Sequence, residues 1–162
     1  MQKAQAGFTF IELVVVITIL GILAAIALPK FAAIQADARY AKMNGALGSV
    51  KSAAAMAHAM LLTRGFDGNF TGTPSPAIVI EGTTVVYVNG YPDAATIVPL
   101  AGLAAPDYIV TGLTAPRIAA PDSGHTGPSP APATSDCTIT YTSAAANSLP
   151  TYGINASLAS CT

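Results

Sequence analysis

The stretch from Phe8 to Leu28 is apolar apart from Thr9, Glu12, Thr18 and Gly21, and Glu12 carries its only charge. At about 1.5 Å per residue a helix of this length is roughly 30 Å long, the thickness of a hydrocarbon core. A carboxylate at the centre of a membrane helix costs about 2.5–3.5 kcal/mol even on lenient scales. The pairing of span and charge constrains this chain more than any other feature. A secretory signal peptide is one reading, and it needs small residues at a cleavage site after the apolar region. Ala27-Leu28-Pro29-Lys30-Phe31 is a poor match, and helix-forming sequence continues directly beyond it. Lys3 lies on the near side of the run. The positive-inside rule therefore places residues 1–7 in the cytoplasm and the rest of the chain outside.

The order Gly7-Phe8-Thr9-Phe10-Ile11-Glu12, with Gly21 and Pro29 further on, resembles the processing region of type IV prepilins. These are the subunits of bacterial type IV pili and of type II secretion pseudopili. The resemblance is strong from Gly7 to about Phe31 and weak beyond. It implies that residues 1–7 are a leader of the type IVa kind, cut between Gly7 and Phe8 by a prepilin peptidase. It also implies N-methylation of the new Phe8 amine. For Glu12 two readings stand. In one, the carboxylate sits in the first helical turn, where the helix dipole favours it by about 0.3–1 kcal/mol. In the other, which the resemblance implies, Glu12 pairs with the Phe8 amine of a neighbouring subunit during assembly.

Gly21 weakens a helix by about 1 kcal/mol relative to alanine. Pro29 removes a backbone donor and clashes with the carbonyl of Ala25, which kinks a helix. Membrane helices tolerate both residues. In the resembling filaments the segment between them loses helicity on assembly, so kinking or melting is expected at Gly21 and Pro29.

From Pro29 to Arg64 the helix is expected to continue, rich in alanine. Tyr40, Met43, Leu47, Val50, Ala54, Ala57 and Leu61 recur at spacings of three and four, one stripe of an amphipathic helix that packs on a soluble domain. Ala38, Ala41, Gly45, Gly48, Ser52 and Ala55 line a second face, small enough for another helix to approach closely. Alanine abundance alone produces such a face as well. Thr63-Arg64-Gly65 carries basic and glycine stop signals.

Residues 65–162 differ in composition, and glycine, proline, serine and threonine rise. Ala77–Glu81 and Thr83–Val88 read as a hairpin or as one bulged strand. Asn89-Gly90-Tyr91-Pro92 reads as a turn, with Asp93 capping a short helix toward Leu103. Asp107–Val110, Cys137–Thr142 and Thr151–Asn155 read as strands. The expected fold is α+β: a long N-terminal helix, membrane-spanning in its first half, packed on a small antiparallel sheet in a single globular head. Ala115–Asp136 holds five prolines and reads as an extended solvated loop.

Cys137 and Cys161 both fall in the head, and outside the cytoplasm they can oxidise. The pilin resemblance implies that they pair. Such a bridge closes a loop of about 25 residues, worth roughly 3–3.5 kcal/mol in the chain-entropy model. Val86–Asp93 and the Asp136-Cys137…Cys161 ending are similar to pilins of the mannose-sensitive haemagglutinin type, which would imply adhesion to surfaces.

The net charge of −1 hides an asymmetry. Six bases and two acids precede Gly65, and six acids and Arg117 alone follow it. A head of this sign repels nucleic acid, so no nucleic-acid partner is expected. The basic helix and acidic head can attract each other between subunits, and solubility of the head explains the acids equally well. No nucleophile elbow, phosphate loop or pair of histidines at ligand spacing occurs, so neither catalysis nor a cofactor is expected. His58 reads as a helix-flank residue, and His125 sits in the proline-rich stretch. No spaced acidic loop for calcium appears, and no metal site is expected. Asn69-Phe70-Thr71 and Asn155-Ala156-Ser157 match the N-glycosylation pattern, expected to be coincidental in a bacterial protein.

The resemblance makes the chain a structural subunit of a type IV pilus, inserted in the inner membrane with its head in the periplasm before assembly. It then polymerises with copies of itself into a surface filament for adhesion and motility. Its partners are the prepilin peptidase, the assembly machinery and a surface or host receptor. The alternatives are a type II secretion pseudopilin and a minor pilin or DNA-uptake component.

Overall fold

The computed structural model of the protein describes residues 8–110, 117–121, 137–155 and 161. The chain divides into two compact units, Met1–Gln35 and Ala36–Thr162.

Helix α1 runs over Phe10–Thr63 and is assigned without interruption through Gly21 and Pro29. It is long and apolar enough to cross a membrane. In the first unit its large apolar side chains are exposed all round: Phe10 is 82 % exposed, Ile22 65 % and Leu28 69 %. A helix that is apolar on every side has no water-facing stripe, and its natural surroundings are lipid or other apolar helices.

Within the second unit α1 behaves as an amphipathic helix. Met43, Val50, Ala54, Ala57 and Leu61 of the expected stripe are fully buried, and Tyr40 and Leu47 pack against the core as half-buried members. Ala36, Ala46 and Ala53 join them, widening the stripe to the broad face that a globular domain requires. The small-residue face, Ala38, Ala41, Gly45, Gly48, Ser52 and Ala55, is exposed throughout.

The helix ends where its stop signals lie. Gly65 takes a φ of 80°, its N–H donates to the Leu62 carbonyl at 2.9 Å, and the Phe66 N–H donates to the Leu61 carbonyl at 3.4 Å. This is a Schellman ending, in which a left-handed glycine lets the chain turn back to satisfy the last carbonyls. Phe66 completes it by packing on the cluster that contains Leu61.

The head is built from short antiparallel pairs. Strands β1 (Val79–Ile80) and β2 (Thr83–Thr84) form one hairpin, and β3 (Tyr87–Val88) and β4 (Tyr91–Pro92) form a second. The run Thr83–Val88 is therefore two strands in two hairpins. The turn expected over Asn89–Pro92 narrows to Asn89–Gly90, because Tyr91 and Pro92 pair with Val88 and Tyr87. Helix α2 (Ala94–Leu100) starts at Asp93, whose Oδ1 accepts from the Thr96 N–H at 2.7 Å, and stops short of the expected Leu103.

Strands β5 (Tyr108–Ile109), β6 (Arg117–Pro121), β7 (Thr138–Thr142) and β8 (Thr151–Asn155) make a four-stranded sheet in that order. Strand β6 corrects the reading of Ala115–Asp136 as a solvated loop. Ile118, Ala119 and Ala120 are buried, and β6 lies between β5 and β7, with a register shift between Arg117 and Ala119. Proline was the misleading signal: Pro121 stands at the last position of the strand, opposite Tyr108 at the start of β5. The rest of that stretch, His125 included, lies outside the described residues.

Two clusters fill the head. The larger joins Met43, Ala46, Val50 and Ala54 of α1 to Ile97, Leu103, Ile118, Ile139, Tyr141 and both cysteines. The smaller joins Ala57 and Leu61 to Ile78, Ile80, Val85 and Tyr87. The two buried tyrosines each satisfy their hydroxyl. Tyr87 donates to the Ala57 carbonyl at 3.0 Å and Tyr141 to the Pro92 carbonyl at 2.5 Å. A buried hydroxyl without such a partner would cost about 1–3 kcal/mol.

Candidate functional site

The first turn of α1 carries the one charge of the Phe8–Leu28 run, and the backbone there explains how it is held. The Glu12 Oε2 accepts from the Thr9 N–H at 2.8 Å and from the Thr9 hydroxyl at 2.5 Å. In return the Glu12 N–H donates to Thr9 Oγ1 at 3.3 Å. This is a capping box: Thr9 and Glu12 each satisfy a backbone donor that the start of a helix leaves without an intrahelical acceptor. The pattern Thr9-x-x-Glu12 before an apolar run is its sequence signature, so Thr9 was legible as a partner of Glu12 and was missed.

The capping box answers the energetic question posed by Glu12 within a single chain. The carboxylate takes two hydrogen bonds, and it sits at the positive end of the helix dipole. Its surroundings are otherwise apolar. Phe8 and Glu12 border the same shallow groove, together with Ile11, Val15 and Val16. Phe8 is 78 % exposed, and Gly7 lies outside the described residues. The structure therefore sets Phe8 and Glu12 on one side of the helix start, on a surface that nothing within the described residues covers.

At Gly21 an added Cβ would meet nothing within 4 Å, so no packing within the described chain requires glycine there. Pro29 lies inside α1.

The Cys137 and Cys161 sulfurs are bonded at 2.03 Å, and both residues are buried in the larger cluster. The bond ties the start of β7 to the C-terminal end of the chain. Arg39 of α1 donates from Nη1 to the Cys161 carbonyl at 3.1 Å, a second tether at the same point. Nearby, Lys42 Nζ donates to the Asp107 carbonyl at 2.6 Å and lies 4.8 Å from the centre of the Tyr108 ring. Bases of α1 thus meet the head within one chain. The Lys42–Asp107 carboxylate pair, at 3.8 Å and exposed, adds at most about 1 kcal/mol.

His58 is more than a flanking residue. Its ring stacks on Tyr91 with centroids 4.2 Å apart, and its Nδ1 lies 2.7 Å from the Gly90 carbonyl oxygen. No group of three or more potential metal ligands occurs among the described residues.

Comparison with known proteins gives a family model, the prokaryotic N-terminal methylation motif, matched over residues 2–28. A fimbrial protein of Pseudomonas aeruginosa is 44 % identical over 53 residues, 33 % of this chain and 34 % of that protein. The type IV major alpha-pilin of Moraxella bovis is 46 % identical over 52 residues, 32 % of this chain and 33 % of that one. The type IV narrow pilus major component PilA5 of Thermus thermophilus is 47 % identical over 51 residues, 32 % of this chain and 44 % of that one. The chain spans about a third of the length of the first relatives it matches. No solved structure matches it. The motif and the named relatives give the chain a likeness to type IV pilins over about a third of its length.

Proposed function

We propose that this chain is a structural subunit of a type IV pilus, made as a precursor and polymerised through the N-terminal part of α1. The observation that carries the reading is the apolar surface of Phe10–Phe31. It begins beside a capped carboxylate and lies within or directly after the matched methylation motif. A fully buried Leu, Ile or Phe gains about 1.5–3 kcal/mol over an exposed one. Many such side chains side by side need lipid before assembly and neighbouring helices after it.

On this reading the peptidase cuts between Gly7 and Phe8, and the freed Phe8 amine is methylated. The leader faces the cytoplasm and the head the periplasm, and assembly carries the head to the cell surface. Glu12 exchanges part of its Thr9 hydrogen bonding for the Phe8 amine of a neighbour. The segment from Gly21 to Pro29 loosens as the helices bundle. The function is structural and needs no catalytic residue of its own.

Glu12→Ala tests this. The variant should insert in the membrane with its head folded, yet yield few or no filaments by electron microscopy. Filaments at normal density would overturn the role given to Glu12. Long extracellular fibres made of the parent protein would separate a pilus from a short periplasmic pseudopilus.

A further inference from the structure

The turn at Asn89–Gly90 carries chemistry that a purely structural role does not use. These two residues alone join β3 to β4, with a φ of 48° at Asn89 and 83° at Gly90. Positive φ at both central positions defines the tight hairpin turn that favours asparagine followed by glycine. Glycine is required for a second reason. A Cβ at Gly90 would stand 1.9 Å from the Gly68 carbonyl oxygen, so only glycine lets these two loops approach. The fold thus installs the dipeptide most prone to lose its side-chain amide. The asparagine Cγ lies within reach of the next backbone nitrogen, and glycine leaves that nitrogen uncrowded.

The reaction needs no oxidant or reductant, and water is its only co-reactant. The Gly90 nitrogen gives up its proton and attacks Asn89 Cγ. The new N–Cγ bond closes a five-membered succinimide, and the Cγ–Nδ2 bond breaks, so Nδ2 leaves as ammonia. Water then opens the ring at one of its two carbonyls. One opening leaves aspartate. The other leaves isoaspartate, whose main chain runs through Cβ and Cγ.

In the folded head the reacting atoms are engaged elsewhere. The Gly90 N–H donates to the Phe70 carbonyl at 2.8 Å, which occupies the nucleophile. Asn89 Nδ2 donates to the Ala144 carbonyl at 2.8 Å, which holds the leaving group. The Asn89 N–H donates to Thr71 Oγ1 at 3.0 Å, and the Gly90 carbonyl oxygen lies 2.7 Å from His58 Nδ1. Gly90 itself is buried. The turn must come away from these partners before the ring can close.

Asn44–Gly45, the other Asn–Gly pair of the sequence, is an internal reference. It lies inside α1, where Asn44 Nδ2 donates to the Tyr40 carbonyl at 3.1 Å and the adjoining Met43 and Ala46 are buried. Freeing the Gly45 nitrogen means breaking a long helix where it packs on the head. Freeing the Gly90 nitrogen means opening a hairpin whose strands have two residues each. A short hairpin is marginal by itself, and folded proteins open in local units of unequal stability. We propose that Asn89 is a gated self-modification site. It stays an amide while the β3–β4 hairpin is closed, and it converts to isoaspartate and aspartate when the hairpin opens, ahead of Asn44. Either product puts a carboxylate where Nδ2 met the Ala144 carbonyl, so the tether to the segment between β7 and β8 is lost. A head that has stayed open long enough to react keeps a permanent mark of it.

The test incubates the full chain in detergent micelles in mildly alkaline buffer, with and without urea. Peptide mass spectrometry follows the conversion of amide to acid at both asparagines. In urea the two should convert at comparable rates. Without urea, Asn89 should convert about tenfold or more slowly than in urea, and Asn44 more slowly still. Thr71→Val removes the acceptor of the Asn89 N–H, and with the head still folded it should speed conversion of Asn89 about fivefold, the effect of one hydrogen bond on local opening. Asn89→Asp should raise amide hydrogen exchange over residues 145–148. The proposal fails if the folded chain converts Asn89 as fast as the chain in urea, if Asn44 converts first, or if Asn89 stays an amide in urea. It also fails if a folded Thr71→Val converts at the parent's rate, and unchanged exchange in Asn89→Asp would overturn the lost tether.

Discussion

Two stretches of one helix meet opposite fates. Between Phe10 and Phe31 the large apolar residues point in every direction and stay exposed. Between Ala36 and Leu61 they keep mostly to one face and are buried or half-buried there, with Met56 the exposed exception. Local helix propensity is satisfied in both, so propensity is not what separates them. The distribution of apolar residues around the axis is. A one-sided stripe can be covered by the chain's own head, whereas an all-round coat needs a surrounding the chain does not supply. The first stretch is therefore shaped for what lies around the molecule and the second for what lies within it.

That contrast breaks down if changes in one stretch are felt in the other's assay. The largest expected effect is Val50→Asp, which puts an unpaired charge into the larger cluster. It should cost about 4 kcal/mol or more and unfold the head, read as loss of its cooperative thermal transition. Glu12→Ala should leave that transition unmoved. Cys161→Ser comes next. Losing the bond to Cys137 should lower head stability by about 3 kcal/mol in denaturant titration, with membrane insertion unchanged.

A smaller and pH-dependent effect follows from the tyrosines. Burial first, then the neighbouring Tyr152, Asp93 and Tyr91, pushes the Tyr141 hydroxyl well above the ordinary value of 10.0, and burial raises Tyr87 and Tyr152 as well. Above pH 10.0 the folded head retains protons that the unfolded chain releases. Stability should therefore be level below that pH and fall as pH rises beyond it. Circular dichroism melts between neutral and strongly alkaline pH would show the fall, and Tyr141→Phe should make it shallower. The smallest effect is Asp93→Ala, which removes the cap of α2 and should cost about 1 kcal/mol.

Legibility in the sequence followed the same divide. The helix stripe from Tyr40 to Leu61 was readable because a period of three and four survives in a single strand of text. The stop at Gly65 and the cap at Asp93 were readable because those residue types answer a local backbone need. Strand β6 was not, since its proline-flanked, alanine-rich residues become a strand only when β5 and β7 supply partners. The pairing of Asn69 with Asn147 was hidden for a similar reason, because the two meet only after folding. Thr9 is the opposite case: its partner is three residues away and the pattern was in plain view. The two readings of Glu12 turn on the helix dipole and on a neighbouring chain, and neither uses the hydroxyl three residues away.

The buried face of α1 from Ala36 to Leu61 runs for about 37 Å along the helix at 1.5 Å per residue. Its residues enter both clusters of the head. In a filament that transmits a pull along its helices, the head would be dragged parallel to that face. Contacts spread along the direction of pull share the load and give way together, unlike contacts peeled from one end. In such a filament the length of the stripe would set how firmly each head rides on a fibre under tension.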